Sequence, residues 1–130
     1  MIVVDASIFV AWLLGARPGR RLGDLLRSKA ALAAPHLVDA EVAHALRRHN
    51  LRGLLASDHA TAAIADFRHL PFERFPHDWL VERAFALRHN ATIYDALYIA
   101  LAERLGAPLL TQDRGLALIP GVTAPIEIVE

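Results

Sequence analysis

The sequence predicts an α/β fold: a central, mostly parallel sheet of about five short strands with helices on both faces. Short runs bounded by turn residues alternate with segments of helical period along the whole chain, the pattern of strand–helix–strand units. The first run, Met1 to Val4, is apolar throughout, as a parallel strand covered on both faces must be. No repeat, linker or low-complexity stretch divides the 130 residues, so a single domain is expected over residues 1–130. A chain of this length buries roughly two-thirds of its unfolded surface.

Taken in order, the first strand ends at Asp5, and Ala6 to Leu14 reads as a helix that Asp5 or Ser7 can cap. Gly15 to Gly19, with Pro18, is a turn. Arg20 to Arg27 is a basic helix with Leu22, Leu25 and Leu26 on one face, and Ala31 to Ala34 is a second strand closed by Pro35. The third helix spans Leu37 to Arg48, with Val38, Glu41, Val42 and Ala45 on one stripe. Beyond Asn50 a helix is expected from Leu51 to Leu55, and another from Ser57 to His69. Phe72 to Phe75, set between prolines, is a third strand. Asp78 is placed as the cap of a helix reaching Arg88. Thr92 to Leu105 forms an apolar helix, followed by a turn at Gly106 to Pro108 and a strand at Leu109-Leu110. A short helix after Asp113 and a strand at Ile126 to Val129 complete the chain.

Composition excludes several classes. Hydrophobic residues make up 55% of the chain and mean hydropathy is +0.31, which fits a packed core and not disorder. No apolar run approaches the ~20 residues of a membrane span, and no charged segment precedes the apolar start as in a secretory signal. There is no cysteine, hence no disulfide and no thiolate metal site, compatible with a reducing, cytoplasmic setting. Fourteen bases balance fourteen acids. If Asp5, Glu41, Asp95 and Asp113 gathered round a cation, the remaining ten acids would leave the rest of the surface near +4. All the bases but Lys29 are arginine, the side chain best shaped for bidentate phosphate contact.

Each of those four acids has an ordinary structural reading. Asp5 can cap a helix, Glu41 can favour a helix dipole, Thr92-x-x-Asp95 has capping-box spacing, and Asp113 sits in a turn. Together they ask for more. Asp5 ends one buried strand, Asp113 follows another, Glu41 shares an apolar stripe, and Asp95 heads a helix apolar from Ala96 to Ala102. Carboxylates brought together without compensation repel and must in part protonate, and a divalent cation removes that conflict. An all-oxygen set, with no histidine pair at zinc spacing, points to Mg²⁺, with Mn²⁺ as a substitute. The seven histidines are scattered, and most read as solvated surface side chains. No phosphate-cradling glycine loop and no GxSxG elbow is present.

With these residues in view, the chain resembles the PIN-domain ribonucleases of the VapC toxin type over its whole length. The resemblance lies in Val3-Val4-Asp5-Ala6-Ser7, in Glu41 within Pro35 to Glu41, in Tyr94-Asp95-Ala96-Leu97-Tyr98, and in Leu110-Thr111-Gln112-Asp113. It implies a single PIN-like domain and a Mg²⁺-dependent endoribonuclease that leaves a 5′-phosphate. Asp5, Glu41, Asp95 and Asp113 would form its acidic site, with Asp5 and Asp95 foremost as metal ligands. Ser7 and Thr111 match small polar positions that support such a site, and Thr92 would support it by capping Asp95's helix. Arg47, Arg48 and Arg114 are expected to hold the RNA backbone. The resemblance further implies a VapB-type antitoxin lying in a helical groove, a homodimer and a toxin–antitoxin hetero-oligomer. Ile8, Phe9, Trp12, Leu13 and the Leu51–Phe67 region offer apolar surface for that groove, or else core. Leu116 departs from the family, which often carries an aromatic there.

Rival readings fare less well. A receiver-type module needs an acid pair near the first strand and a late lysine, but Asp5 has apolar neighbours and Lys29 is the only lysine. A phosphatase would need Asp-x-Asp, where this chain has Asp5-Ala6-Ser7. A metal-dependent nuclease outside any toxin pair remains compatible with the residues.

Overall fold

The computed structural model describes residues 1–130. Five strands, β1 (Ile2–Val4), β2 (Leu32–Pro35), β3 (Glu73–Phe75), β4 (Leu109–Thr111) and β5 (Ile126–Ile128), form one sheet in the order β3-β2-β1-β4-β5. Every neighbouring pair is parallel. The helices are α1 (Ala6–Leu13), α2 (Gly19–Arg27), α3 (Leu37–Leu51), α4 (Ser57–Arg68), α5 (Val81–Ala86) and α6 (Ile93–Leu105), and a 3₁₀ turn spans Arg114–Leu118. Right-handed crossovers send α1 to α4 to one face, because β1, β2 and β3 step in one direction across the sheet. The return from β3 to β4 sends α5 and α6 to the other. Contacts agree: α1 packs on α2, α3 and α4, whereas α5 packs on α6 and α6 lies on β1, β2 and β4.

The core is continuous through the sheet. Val3, Val4, Ala33, Ala34, Leu109 and Leu110 are buried from both sides, as are Ala96 to Ala102 of α6. On the α1 side, Phe9, Phe67 and Phe72 form a triangle with ring centroids 4.8–5.5 Å apart. Ile8 and Phe9 are fully buried, so they are core and not groove. Leu116 is also buried, and an aliphatic side chain fills that position.

Three expectations need correction. The helix begun at Leu37 continues to Leu51, and residues 51–55 form no helix of their own. Gly53, at φ +74°, turns the chain: its N–H reaches Asn50 O and the Leu54 N–H reaches back to His49 O, which closes α3 with a Schellman motif. Asp78 caps nothing, because it lies in a turn and α5 begins only at Val81. Pro35 belongs to β2 instead of following it, and the neighbouring His36 N–H takes over the bond to Phe75 O.

Candidate active site

β1 and β4 lie side by side at the centre of the sheet, and the chain leaves them toward opposite flanks. Such a switch point opens a crevice at the carboxyl ends of the strands. Asp5 leaves β1 there and Thr111 to Asp113 leave β4 there.

Asp5 occupies the N-cap position of α1, yet its side chain makes no capping bond to the helix. Its Oδ2 accepts from Ser7 Oγ and from Thr111 Oγ1, both at 2.8 Å. The same hydroxyls accept from amides of the loop after β4, Ser7 from Gln112 N–H (3.2 Å) and Thr111 from Asp113 N–H (3.1 Å). Asp5 is thereby fixed across 106 residues of sequence. Thr111 is 0% exposed, and Asp5 is what satisfies its hydroxyl.

Asp95 stands in the first turn of α6, where its N–H donates to Thr92 Oγ1 (3.1 Å). Thr92 is therefore the cap, and the return bond of a capping box is not made, so the Asp95 carboxylate is left to the cleft. Asp113 is exposed and its Oδ1 accepts from Gly115 N–H (2.8 Å), which caps the 3₁₀ turn. Glu41 is half-buried on α3, and its Oε1 is buried with no hydrogen-bond partner.

The four acids act on one another. Burial raises the carboxyl pKa of Asp5, Glu41 and Asp95 above the usual range. Repulsion adds to this: Asp113 acts on Asp5, Asp5 and Asp95 act on Glu41, and Asp5 and Asp113 act on Asp95. The Ser7 and Thr111 hydroxyls work against the rise at Asp5. A cleft of about 530 Å³ contains the whole set, with Ser7, His44, Arg48, His49 and Gln112 on its walls.

Of the three arginines expected here, only Arg48 lines the cleft. Arg47 points to a groove between α3 and α4 beside Asn50 and Thr61, and Arg114 is paired with Glu130. His44 and His49, which the sequence does not single out from the other histidines, stand on the cleft wall. Both follow from helical spacing, since positions three, seven and eight after Glu41 bring His44, Arg48 and His49 round to its side. His49 is held in place by a bond between Nδ1 and Ala45 O (2.9 Å).

The donor set suits a hard divalent cation: carboxylate oxygens, two ordered hydroxyls, no sulfur. The orphaned Glu41 Oε1 and the raised carboxyl pKa values are the deficits that a cation would relieve. No three of the acids or histidines stand close enough to form a preformed cage, so the fit lies in donor chemistry and shared location.

A PIN-domain family model matches residues 2–122. Ribonuclease VapC1 of Mycobacterium tuberculosis is 44% identical over 128 residues, covering 98% of this chain and 96% of that one. Among solved structures, PAE2754 of Pyrobaculum aerophilum superposes with a TM-score of 0.72 at 26% identity, over 98% of this chain and 83% of that one. VapBC2 from Rickettsia felis, bound to a DNA fragment from its promoter, gives a TM-score of 0.74 at 16% identity over the full length of both chains, a likeness of fold.

Proposed function

This chain belongs to the PIN-domain family, with VapC ribonucleases among its relatives, and on that premise we propose that it is a divalent-metal-dependent endoribonuclease, the toxin of a toxin–antitoxin pair. The observation that carries this reading is the convergence of Asp5, Glu41, Asp95 and Asp113 on one cleft at the switch point of a parallel sheet.

Asp5 and Asp95 would hold Mg²⁺, or Mn²⁺ in its place, with Glu41 and Asp113 completing the set. When bound, such an ion lowers the pKa of water and offsets charge building at phosphorus. The chain's own residues do the rest. Ser7 and Thr111 keep the Asp5 carboxylate from rotating away. Glu41 or Asp113 orients a water for in-line attack on phosphorus and accepts its proton. The 3′ oxygen leaves, giving a 5′-phosphate and a 3′-hydroxyl. Arg48, with His44 and His49 beside it, holds the RNA backbone along the α3 wall.

The partner is a VapB-type antitoxin, a reading the VapBC2 structure supports, and the proposed assembly is a hetero-oligomer built on a toxin homodimer. Leu51 at the end of α3, Leu54 in the turn that follows and Ile64 on α4 are exposed and offer apolar surface to a partner. No helix is long and apolar enough to cross a membrane. A cytoplasmic setting goes with an RNA substrate.

The test is cleavage of a total RNA preparation. Mg²⁺ or Mn²⁺ supports cleavage, excess EDTA abolishes it, and Asp5→Asn and Asp95→Asn lower it by at least about a hundredfold while circular dichroism stays that of the wild type. Full activity in EDTA, or in both variants, overturns the metal-dependent reading.

A further inference from the structure

Tyr98 lies one turn beyond Asp95 on α6, 1% exposed, and its hydroxyl is buried with no hydrogen-bond partner. The only other buried side-chain polar atom in that condition is Glu41 Oε1, on the α3 wall of the acidic cleft. These two orphans are neighbours. The Tyr98 hydroxyl is raised well above its ordinary pKa by burial first and then by the charges of Asp5 and Glu41, while on Glu41 the Tyr98 hydroxyl works against the effect of burial. The two groups therefore stand close enough to act on each other's protonation, yet outside proper hydrogen-bond geometry. One is a donor and the other an acceptor.

A buried hydroxyl without a partner is destabilising, and phenylalanine would avoid the cost. Its neighbours in the buried stretch, Ala96, Leu97, Ile99, Ala100, Leu101 and Ala102, carry no polar side-chain atom. The hydroxyl is thus the single polar group in the apolar stretch of α6, beside a carboxylate that nothing else holds. Asp5 has Ser7 and Thr111 to fix it, whereas Glu41 has only Tyr98 within reach.

We propose that Tyr98 is a positioning residue for Glu41: its hydroxyl donates to the Glu41 carboxylate as the cleft fills with a divalent cation, and so turns the other carboxylate oxygen toward the ion. This rests on the cation reading given above. Outer hydrogen bonds of this kind orient ligating carboxylates, and their loss weakens metal affinity by about 10- to 100-fold.

The experiment is Mn²⁺ titration by calorimetry of the full chain and of Tyr98→Phe, Glu41→Gln and the double variant, with thermal unfolding of each metal-free protein. Tyr98→Phe is expected to bind Mn²⁺ about tenfold more weakly, with a metal-free Tm equal to or above the wild type's. It also lowers kcat for RNA cleavage with little change in KM. On the Glu41→Gln background the same substitution changes Mn²⁺ affinity no further. Wild-type affinity in Tyr98→Phe overturns the inference, as does an undiminished effect on the Glu41→Gln background. A second measurement does not depend on how that variant folds. The chain has two tyrosines, so 3-fluorotyrosine labelling gives two ¹⁹F resonances, assigned with Tyr94→Phe. The Tyr98 resonance should move on Mg²⁺ addition in the wild type and stay in place in Glu41→Gln. A Tyr98 resonance that ignores bound Mg²⁺ overturns the inference alone. A wild type that binds neither ion overturns the cation reading, and the inference with it.

Discussion

Glu103 and Glu41 are both partly buried glutamates on helices, and the protein treats them in opposite ways. Glu103, on α6, receives two bonds from the Arg83 guanidinium (2.6 and 3.1 Å) and two from Thr123, through its N–H (2.8 Å) and hydroxyl (3.1 Å). The Arg83 contact holds its carboxyl below the usual range. Glu41 has an orphaned oxygen, three other acids round the same cleft and a raised carboxyl. A carboxylate that ties elements together is neutralised within the chain, and the one we propose meets a cation is left in deficit. Glu103 binds α6 to α5 and to the loop before β5, and Glu41 binds nothing.

The contrast can be broken most directly by matched substitutions. Glu41→Gln is expected to lower cleavage about a hundredfold and to leave Tm unchanged or raised, because a repelled charge is removed. Glu103→Gln is expected to leave cleavage intact and to cost about 1–2 kcal/mol. That estimate is at the lower end of what a charged hydrogen bond gives, since Arg83 is 40% exposed and screened by water. Activity assays and thermal unfolding on the same preparations separate the two outcomes.

A smaller effect is expected from pH, through a group that behaves like Glu103 but titrates nearer neutrality. His77 Nε2 accepts the Leu37 N–H at the start of α3 (2.9 Å), a role open only to the neutral ring. Burial, with help from His36, lowers its pKa from 6.5. At His77 the folded state therefore binds fewer protons than the unfolded chain. The stabilisation is complete above the unfolded value and is lost as pH falls through the folded one. Acidification from pH 7.5 to 5.5 should cost about 1 kcal/mol, the worth of a helix cap, and His77→Gln should remove that part of the slope in denaturant titrations. Smallest is the difference between adjacent arginines. Arg48→Ala should raise KM for RNA up to about tenfold, the loss of one charge-assisted bond, and Arg47→Ala should leave it nearly unchanged in steady-state assays.

Much of this was legible in the residues. Strand ends and acids coincide at Asp5 and Asp113, and Thr92 and Asp95 showed both their capping spacing and their exposure to a cleft. Spacing along a helix reveals which residues share a side, but not what the side faces. Ile8 and Phe9 looked as fit for a groove as for the core, and the full burial of both, with Phe9 packed on Phe67 and Phe72, decided for the core. His44 and His49 share Glu41's side and were lost among polar surface residues. Residues 51–55 have leucines enough for a helix, but the left-handed turn at Gly53 outweighs that local preference. Least legible was Tyr98, which reads as one more apolar residue in a buried run. The partner proposed for its hydroxyl, Glu41, comes from α3, and that juxtaposition is tertiary.

The two hydroxyls that fix Asp5 have an effect beyond holding a carboxylate. Ser7 and Thr111 each give a proton to Asp5 and take one from the backbone of residues 112 and 113, so the loops after β1 and β4 share one closed ring of bonds. Neither loop can swing outward alone without stripping a buried threonine of its acceptor. Loops over a binding cleft ordinarily belong to the least protected parts of a fold. Here the floor of the cleft is tied to the centre of the sheet, whereas Glu41, His44 and Arg48 stand on the α3 wall outside that ring of bonds.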